Sequence, residues 1–138
     1  MSRPPDSEPH LADEAQALLG QPFVWGQTDC TLVCLRLLDA MVFTTYSEEY
    51  AGLWTDEESA RHWMTAHHTL AFGLAEVGAE EVPPAFVQPG DILIADDWYA
   101  YACLGARCMT SNPERGVFLM PTAAVLAHHG DTLTCWRL

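Results

Sequence analysis

Lysine is absent from this chain. Its six basic residues are all arginine (Arg3, Arg36, Arg61, Arg107, Arg115 and Arg137), against 19 acidic ones, so the formal charge is −13 over 138 residues. So few cations exclude nucleic acid as a partner, because such binding rests on clustered cations that displace counterions. The same shortage excludes an anionic membrane surface, which attracts polybasic segments. Nor is there a run approaching the ~18 apolar residues of a membrane span, so no membrane insertion is expected. Met1-Ser2-Arg3-Pro4-Pro5-Asp6 has no apolar core of the signal-peptide kind. The expectation is synthesis in a reducing cytosol, with the five cysteines as thiols.

What is present suffices for a folded unit. Hydrophobic residues make up 49%, too many for a disordered acidic segment. A chain of this length buries roughly 68% of its unfolded surface and needs no disulfide. Residues 1–10, rich in proline and charge, read as a flexible arm, and 11–138 as a single domain.

Leu11, Ala15, Leu18 and Leu19 have helical spacing, closed by Gly20. From Asp29 to Phe43 apolar residues fall nearly all around the helix, the mark of a buried central element, with Thr28 and Asp29 placed to cap its start. Thr55-Asp56-Glu57-Glu58 is a capping-box pattern opening a helix to about His67. A further helix spans Thr69 to Val77. Beyond Pro83-Pro84 and Pro89-Gly90 the pattern turns to strands, over Asp91–Ala95, Tyr99–Ala106, Val117–Leu119 and Thr132–Arg137. Pro121 to Ala127 has room for one helical turn. Helices followed by antiparallel strands predict an α+β fold.

Cys30 is the residue most suggestive of chemistry. A thiol in the first turn of a helix faces unpaired amides and the positive end of the helix dipole, both of which favour thiolate. Those amides could also receive an oxyanion. The alternative is a small buried apolar residue.

Pro22-Phe23-Val24-Trp25-Gly26-Gln27-Thr28-Asp29-Cys30 resembles the nucleophile segment of the NlpC/P60 papain-like cell-wall peptidases, in which Asp-Cys opens the central helix. Pro89-Gly90-Asp91-Ile92-Leu93 resembles the strand entering that family's small sheet. With the Trp136-Arg137 ending, the chain is most similar to small phage-encoded NlpC/P60-like tail proteins. The resemblance implies a papain-like fold, N-terminal helices packed on a small antiparallel sheet, with Cys30 as nucleophile and Trp25, Gly26, Asp29 and Asp91 supporting it. It also implies a histidine on the strand after Pro-Gly-Asp. Cys103, in Cys103-Leu104-Gly105, stands in that place, and no histidine occurs between His68 and His128. A thiol does not replace imidazole as a base near neutral pH.

His128 and His129, before the last strand, are the remaining candidates for the base; the alternative for both is a solvated turn. His62, His67 and His68 read as surface residues of a helix, and His10 belongs to the arm. If the fold resemblance holds, Cys30 and Cys103 are neighbours. Cys34 lies at i+4 from Cys30 on one helix face and Cys108 close to Cys103 on or beside adjacent strands, so a disulfide, zinc or an iron–sulfur cluster is conceivable, yet no tight Cys-x-x-Cys spacing marks a metal site. No metal and no cofactor is expected. Trp25, Trp54, Trp63, Trp98 and Trp136 read as core or interface anchors rather than a carbohydrate platform. Glu80-Glu81 and Asp96-Asp97 read as solvated turns rather than a calcium loop.

Two functions remain open. One is a structural protein of the phage tail tip or hub, made in the host cytoplasm and carried in the virion, on a scaffold that no longer hydrolyses. Its partners are other tail proteins, with an acidic surface to direct assembly. The other is a cysteine peptidase or amidase acting on peptidoglycan. There Cys30 attacks an amide carbonyl, helix-start amides hold the oxyanion, and His128 or His129 serves as base.

Overall fold

The computed structural model describes residues 7–67, 70–96 and 99–138. Helix α1 (Ser7–Leu18) lays Leu11, Ala15 and Leu18 against α2 (Cys30–Val42). It starts at Ser7, so the predicted arm is shorter than ten residues by its last turn. The rest of the arm lies outside the described residues, as do His68, Asp97 and Trp98.

Ten of the residues of α2 are buried, including Leu32, Val33 and Cys34 at 0% exposure. That apolar circumference makes it the central element, as its pattern predicts. Phe43, in a left-handed conformation (φ 59°), ends it. A short α3 (Tyr46–Tyr50) follows, held by Asp39, whose carboxylate accepts from the Tyr46 and Ser47 amides. Then come α4 (Glu57–His67) and α5 (Leu70–Glu76).

The strands are β1 (Glu80–Val82), β2 (Ile92–Ala95), β3 (Tyr99–Cys103), β4 (Arg107–Asn112), β5 (Gly116–Pro121) and β6 (Leu133–Arg137), with α6 (Thr122–His129) before the last. They form one antiparallel sheet in the order β1-β6-β2-β3-β4-β5. Among the described residues, no helix is long and apolar enough to cross a membrane.

Three expectations change here. The predicted strand over Tyr99–Ala106 is the first arm of a hairpin, and Gly105 (φ 120°) turns the chain into β4. Glu80-Glu81 belongs to an edge strand rather than a turn; paired charges there protect an exposed edge from further pairing. The single turn expected after Pro121 is a helix of 8 residues.

Strand parity sorts the sheet into two faces. Ile92, Ile94, Ala100, Ala102, Met109 and Val117 face α2, in one core cluster with Cys30 and Cys34. Leu93, Ala95, Tyr101, Cys103, Cys108, Leu133 and Cys135 face the other way, in a second cluster with Val125 of α6. The central strands are thus covered on both sides, which explains the unbroken apolar run Ile92-Leu93-Ile94-Ala95.

A buried ion pair locks the sheet. Asp91, 0% exposed, receives Arg137 Nε at 3.0 Å and Nη2 at 2.8 Å, and its Oδ2 accepts from the Gln88 amide at 2.8 Å. Arg137 also donates to the Phe86 carbonyl at 2.8 Å, tying the C-terminal strand to the turn before β2. The Pro-Gly-Asp motif and the Trp-Arg ending are therefore one structural device. Arg137→Ala leaves a buried carboxylate without its cation and is expected to cost about 3 kcal/mol, read as a lower midpoint in urea unfolding. A change below about 0.5 kcal/mol contradicts the role assigned to the pair.

Candidate functional site

The loop before α2 is organised by side chains that satisfy its backbone. Thr28 Oγ1 donates to the Pro22 carbonyl at 2.7 Å and accepts from the Val24 amide at 2.8 Å. Asp29 caps the helix: Oδ1 accepts from the Leu32 amide at 3.0 Å, and Oδ2 from the Gly26 amide and Trp54 Nε1, both at 2.7 Å. Gly26 has φ 75°, a conformation L side chains rarely adopt, and a Cβ there would run into the Trp54 carbonyl. Gly26 and Asp29 thus shape the loop from which Cys30 opens the helix. Trp54, far away in sequence, completes the arrangement.

Cys30 stands at the first position of α2, 9% exposed, and its sulfur accepts from the Ala100 amide of β3 at 3.5 Å. Burial, with Asp29 adding to it, pushes its thiol up from 9.0 to about 12, although the Ala100 amide pulls the other way. That is about 4 kcal/mol against ionisation, more than the ~1 kcal/mol a helix start supplies in favour. Of the two readings of Cys30, burial favours the neutral buried thiol. The helix-start amides are partly committed as well, since Leu32 binds the Asp29 carboxylate and Val33 the Asp29 carbonyl. Cys34, one turn on and fully buried, is raised further for the same reason.

A cleft of about 310 Å³ opens beside Cys30. Aromatic Phe23, Trp25, Trp54 and Tyr99, the carboxylates Glu57 and Glu114, and Ser111 line it. No histidine or arginine does so among the described residues. Tyr99 donates its hydroxyl to the Ser111 carbonyl at 2.9 Å, and burial raises its pKa, so it is no base. Ser111, 1% exposed, has a hydroxyl with no hydrogen-bond partner among the described residues.

The remaining candidates lie elsewhere. Cys103 is on the sheet face opposite Cys30, since parity puts Ala100 and Ala102 towards α2 and Tyr101 and Cys103 towards α6. It therefore does not occupy the base position, and the expected Cys30–Cys103 neighbourhood is absent. His128 and His129 belong to α6 rather than to a solvated turn. His129 Nε2 shares a hydrogen bond of 2.7 Å with the Tyr101 hydroxyl, and burial and His128 lower its pKa. Both lie across the sheet from Cys30 and cannot serve it. His62 is exposed on α4, as expected; His10 lies in α1, its ring against Phe43. All five cysteines are free. Trp25, Trp54 and Trp63 gather around Leu32 and Ala60 as core anchors.

The fold and site define an α+β protein with a cysteine-headed central helix packed on an antiparallel sheet, and among the described residues no histidine lines the cleft at the cysteine. The family described as a domain of unknown function, DUF6950, matches residues 2–130, and the chain belongs to it. No curated protein matches the chain.

Removing the cap tests the geometry of the site. Asp29→Ala orphans the Gly26 amide and the Trp54 indole N–H and is expected to cost at least about 2 kcal/mol, with a shift in Trp fluorescence. A stability change within about 0.5 kcal/mol contradicts this account.

Proposed function

We propose that the protein is a structural component of a phage tail, at the tip or hub, built on an NlpC/P60-like scaffold that has lost hydrolysis and works by binding. The observation that carries this reading is the environment of Cys30: a neutral, buried thiol facing a strand amide, in a cleft whose polar lining is Thr31, Tyr99, Ser111 and carboxylates. Nucleophilic catalysis by cysteine needs a thiolate or a base within hydrogen-bond reach. Among the described residues neither is supplied there.

The elements run in the order the resemblance implies, with the Asp29-Cys30 helix first and the Pro89-Gly90-Asp91 strand after it. That supports the scaffold part of the proposal. The tail assignment rests on the likeness to small phage-encoded proteins. The charge of −13 suits assembly with basic neighbours and keeps the free protein soluble.

Purified protein incubated with labelled peptidoglycan is expected to release no more label than a buffer blank, and Cys30→Ala no less than the wild type. Release that disappears in Cys30→Ala overturns the loss of hydrolysis. For the tail assignment, antibody against the protein is expected to decorate one end of tails in purified particles. Particles without the protein, from an infection that expresses it, overturn that assignment.

A further inference from the structure

The hairpin joining β3 to β4 carries two thiols that take no part in the Cys30 cleft. Leu104 donates its amide to the Arg107 carbonyl at 2.8 Å, leaving Gly105 and Ala106 as a two-residue turn. The next pair along the ladder is Cys103 opposite Cys108. Cys103 uses both backbone groups on its other side, donating to the Asp91 carbonyl at 2.9 Å and accepting from the Gly90 amide at 2.8 Å. Within its own hairpin the cysteine pair is therefore non-hydrogen-bonded. At such positions Cα atoms stand about 4.5 Å apart and side chains come closest. That separation lies within the roughly 4.4–6.8 Å a disulfide spans.

Both side chains point to the α6 face, where Cys103 Sγ accepts from the Gly105 amide at 3.4 Å. Cys108 Sγ lies 3.3 Å from Thr122 Oγ1, which itself donates to the Gly105 carbonyl at 2.7 Å. The neighbouring Cys108 thiol and the Gly105 amide lower the Cys103 thiol, while the Cys103 sulfur raises Cys108 in turn. That ordering makes Cys103 the candidate nucleophile and Cys108 the resolving cysteine. Cys30 is pushed the opposite way.

We propose that Cys103 and Cys108 form a peroxide-reactive thiol pair that closes into a cross-strand disulfide. The Cys103 thiolate attacks one peroxide oxygen and the O–O bond breaks. The other oxygen leaves as hydroxide and is protonated to water, so Cys103 becomes a sulfenic acid. Cys108 sulfur then attacks Cys103 sulfur. The S–O bond breaks, and its oxygen leaves as a second water with the Cys108 proton. In sum, two thiols and one hydrogen peroxide give one disulfide and two waters. The residues are 1% and 0% exposed. The turn that joins them is exposed at Ala106 and Arg107, so the oxidant this pair calls for is as small as a peroxide. This inference is independent of the proposed function.

Arg107 lies between the two cysteines, so trypsin places them on separate peptides, 62–107 and 108–115. After hydrogen peroxide treatment of the folded protein, free thiols are expected to fall from five to three. The two peptides should then migrate as one species that a reductant splits. Five thiols remaining at peroxide doses that oxidise a free peptide thiol overturn the proposal, as does a disulfide to Cys30, Cys34 or Cys135. In Cys108→Ser, dimedone is expected to trap a sulfenic acid at Cys103. In Cys103→Ser, an adduct at Cys108 instead overturns the assignment of nucleophile. The wild-type peptide map decides the pairing even where a variant fails to fold.

Discussion

The carboxylate of Asp29 holds the candidate site together. It is 3% exposed, and it joins the loop at Gly26, the first turn of α2 and the indole of Trp54 through three short hydrogen bonds. Each bond satisfies a donor that would otherwise be buried without a partner. Together they set where α2 begins, and so where Cys30 sits relative to β3. They also bring Trp54 against Leu32 and make one wall of the cleft. The close approach of the Gly26 and Trp54 backbones, which admits no side chain at position 26, follows from the same contact.

Within that frame, opposing electrostatic effects decide what Cys30 is. A helix start and a strand amide favour the thiolate, while burial and the Asp29 charge favour the thiol. Burial is the largest of these, because the first turn of α2 is packed under the sheet rather than opened to water. The same helix position in a wetter cleft would give a reactive cysteine. The chemistry is thus set by packing and by the neighbours on β3 and β4. On the opposite face the balance reverses, and the neighbouring Cys108 thiol and Gly105 amide lower the Cys103 thiol.

Much of the fold was legible in the residues. The apolar circumference of α2, its Thr28-Asp29 cap and the Pro-Gly-Asp entry to β2 all rest on local patterns, and the structure follows them to within a residue or two. β1 was hidden because an edge strand carrying Glu80-Glu81 looks like a solvated turn. β4 was hidden because Thr110-Ser111-Asn112 breaks the apolar alternation, although both faces there are covered. The site was legible only in part. Placing Cys103 beside Cys30 fails on strand parity, since three residues separate it from Ala100 and an odd step reverses the face. Tyr99, at the start of β3, and Ser111 of β4 come together only across the hairpin, with the Tyr99 hydroxyl on the Ser111 carbonyl, and no local pattern signals that contact. Trp54 reaches Asp29 across 25 residues, a contact no local pattern encodes.

The central claim is that Cys30 is a neutral, packed thiol without a base. Following the Cys30 ¹³Cβ chemical shift against pH in selectively labelled native protein tests it most directly. The account predicts a flat profile through neutrality, with titration only as pH approaches about 12 or the fold is lost. Because the folded pKa lies above the unfolded one, the stability contributed by the neutral thiol is complete below the unfolded value and declines as pH rises towards the folded one. A titration midpoint in the folded protein below ~8.5, the free thiol's value, would contradict the account.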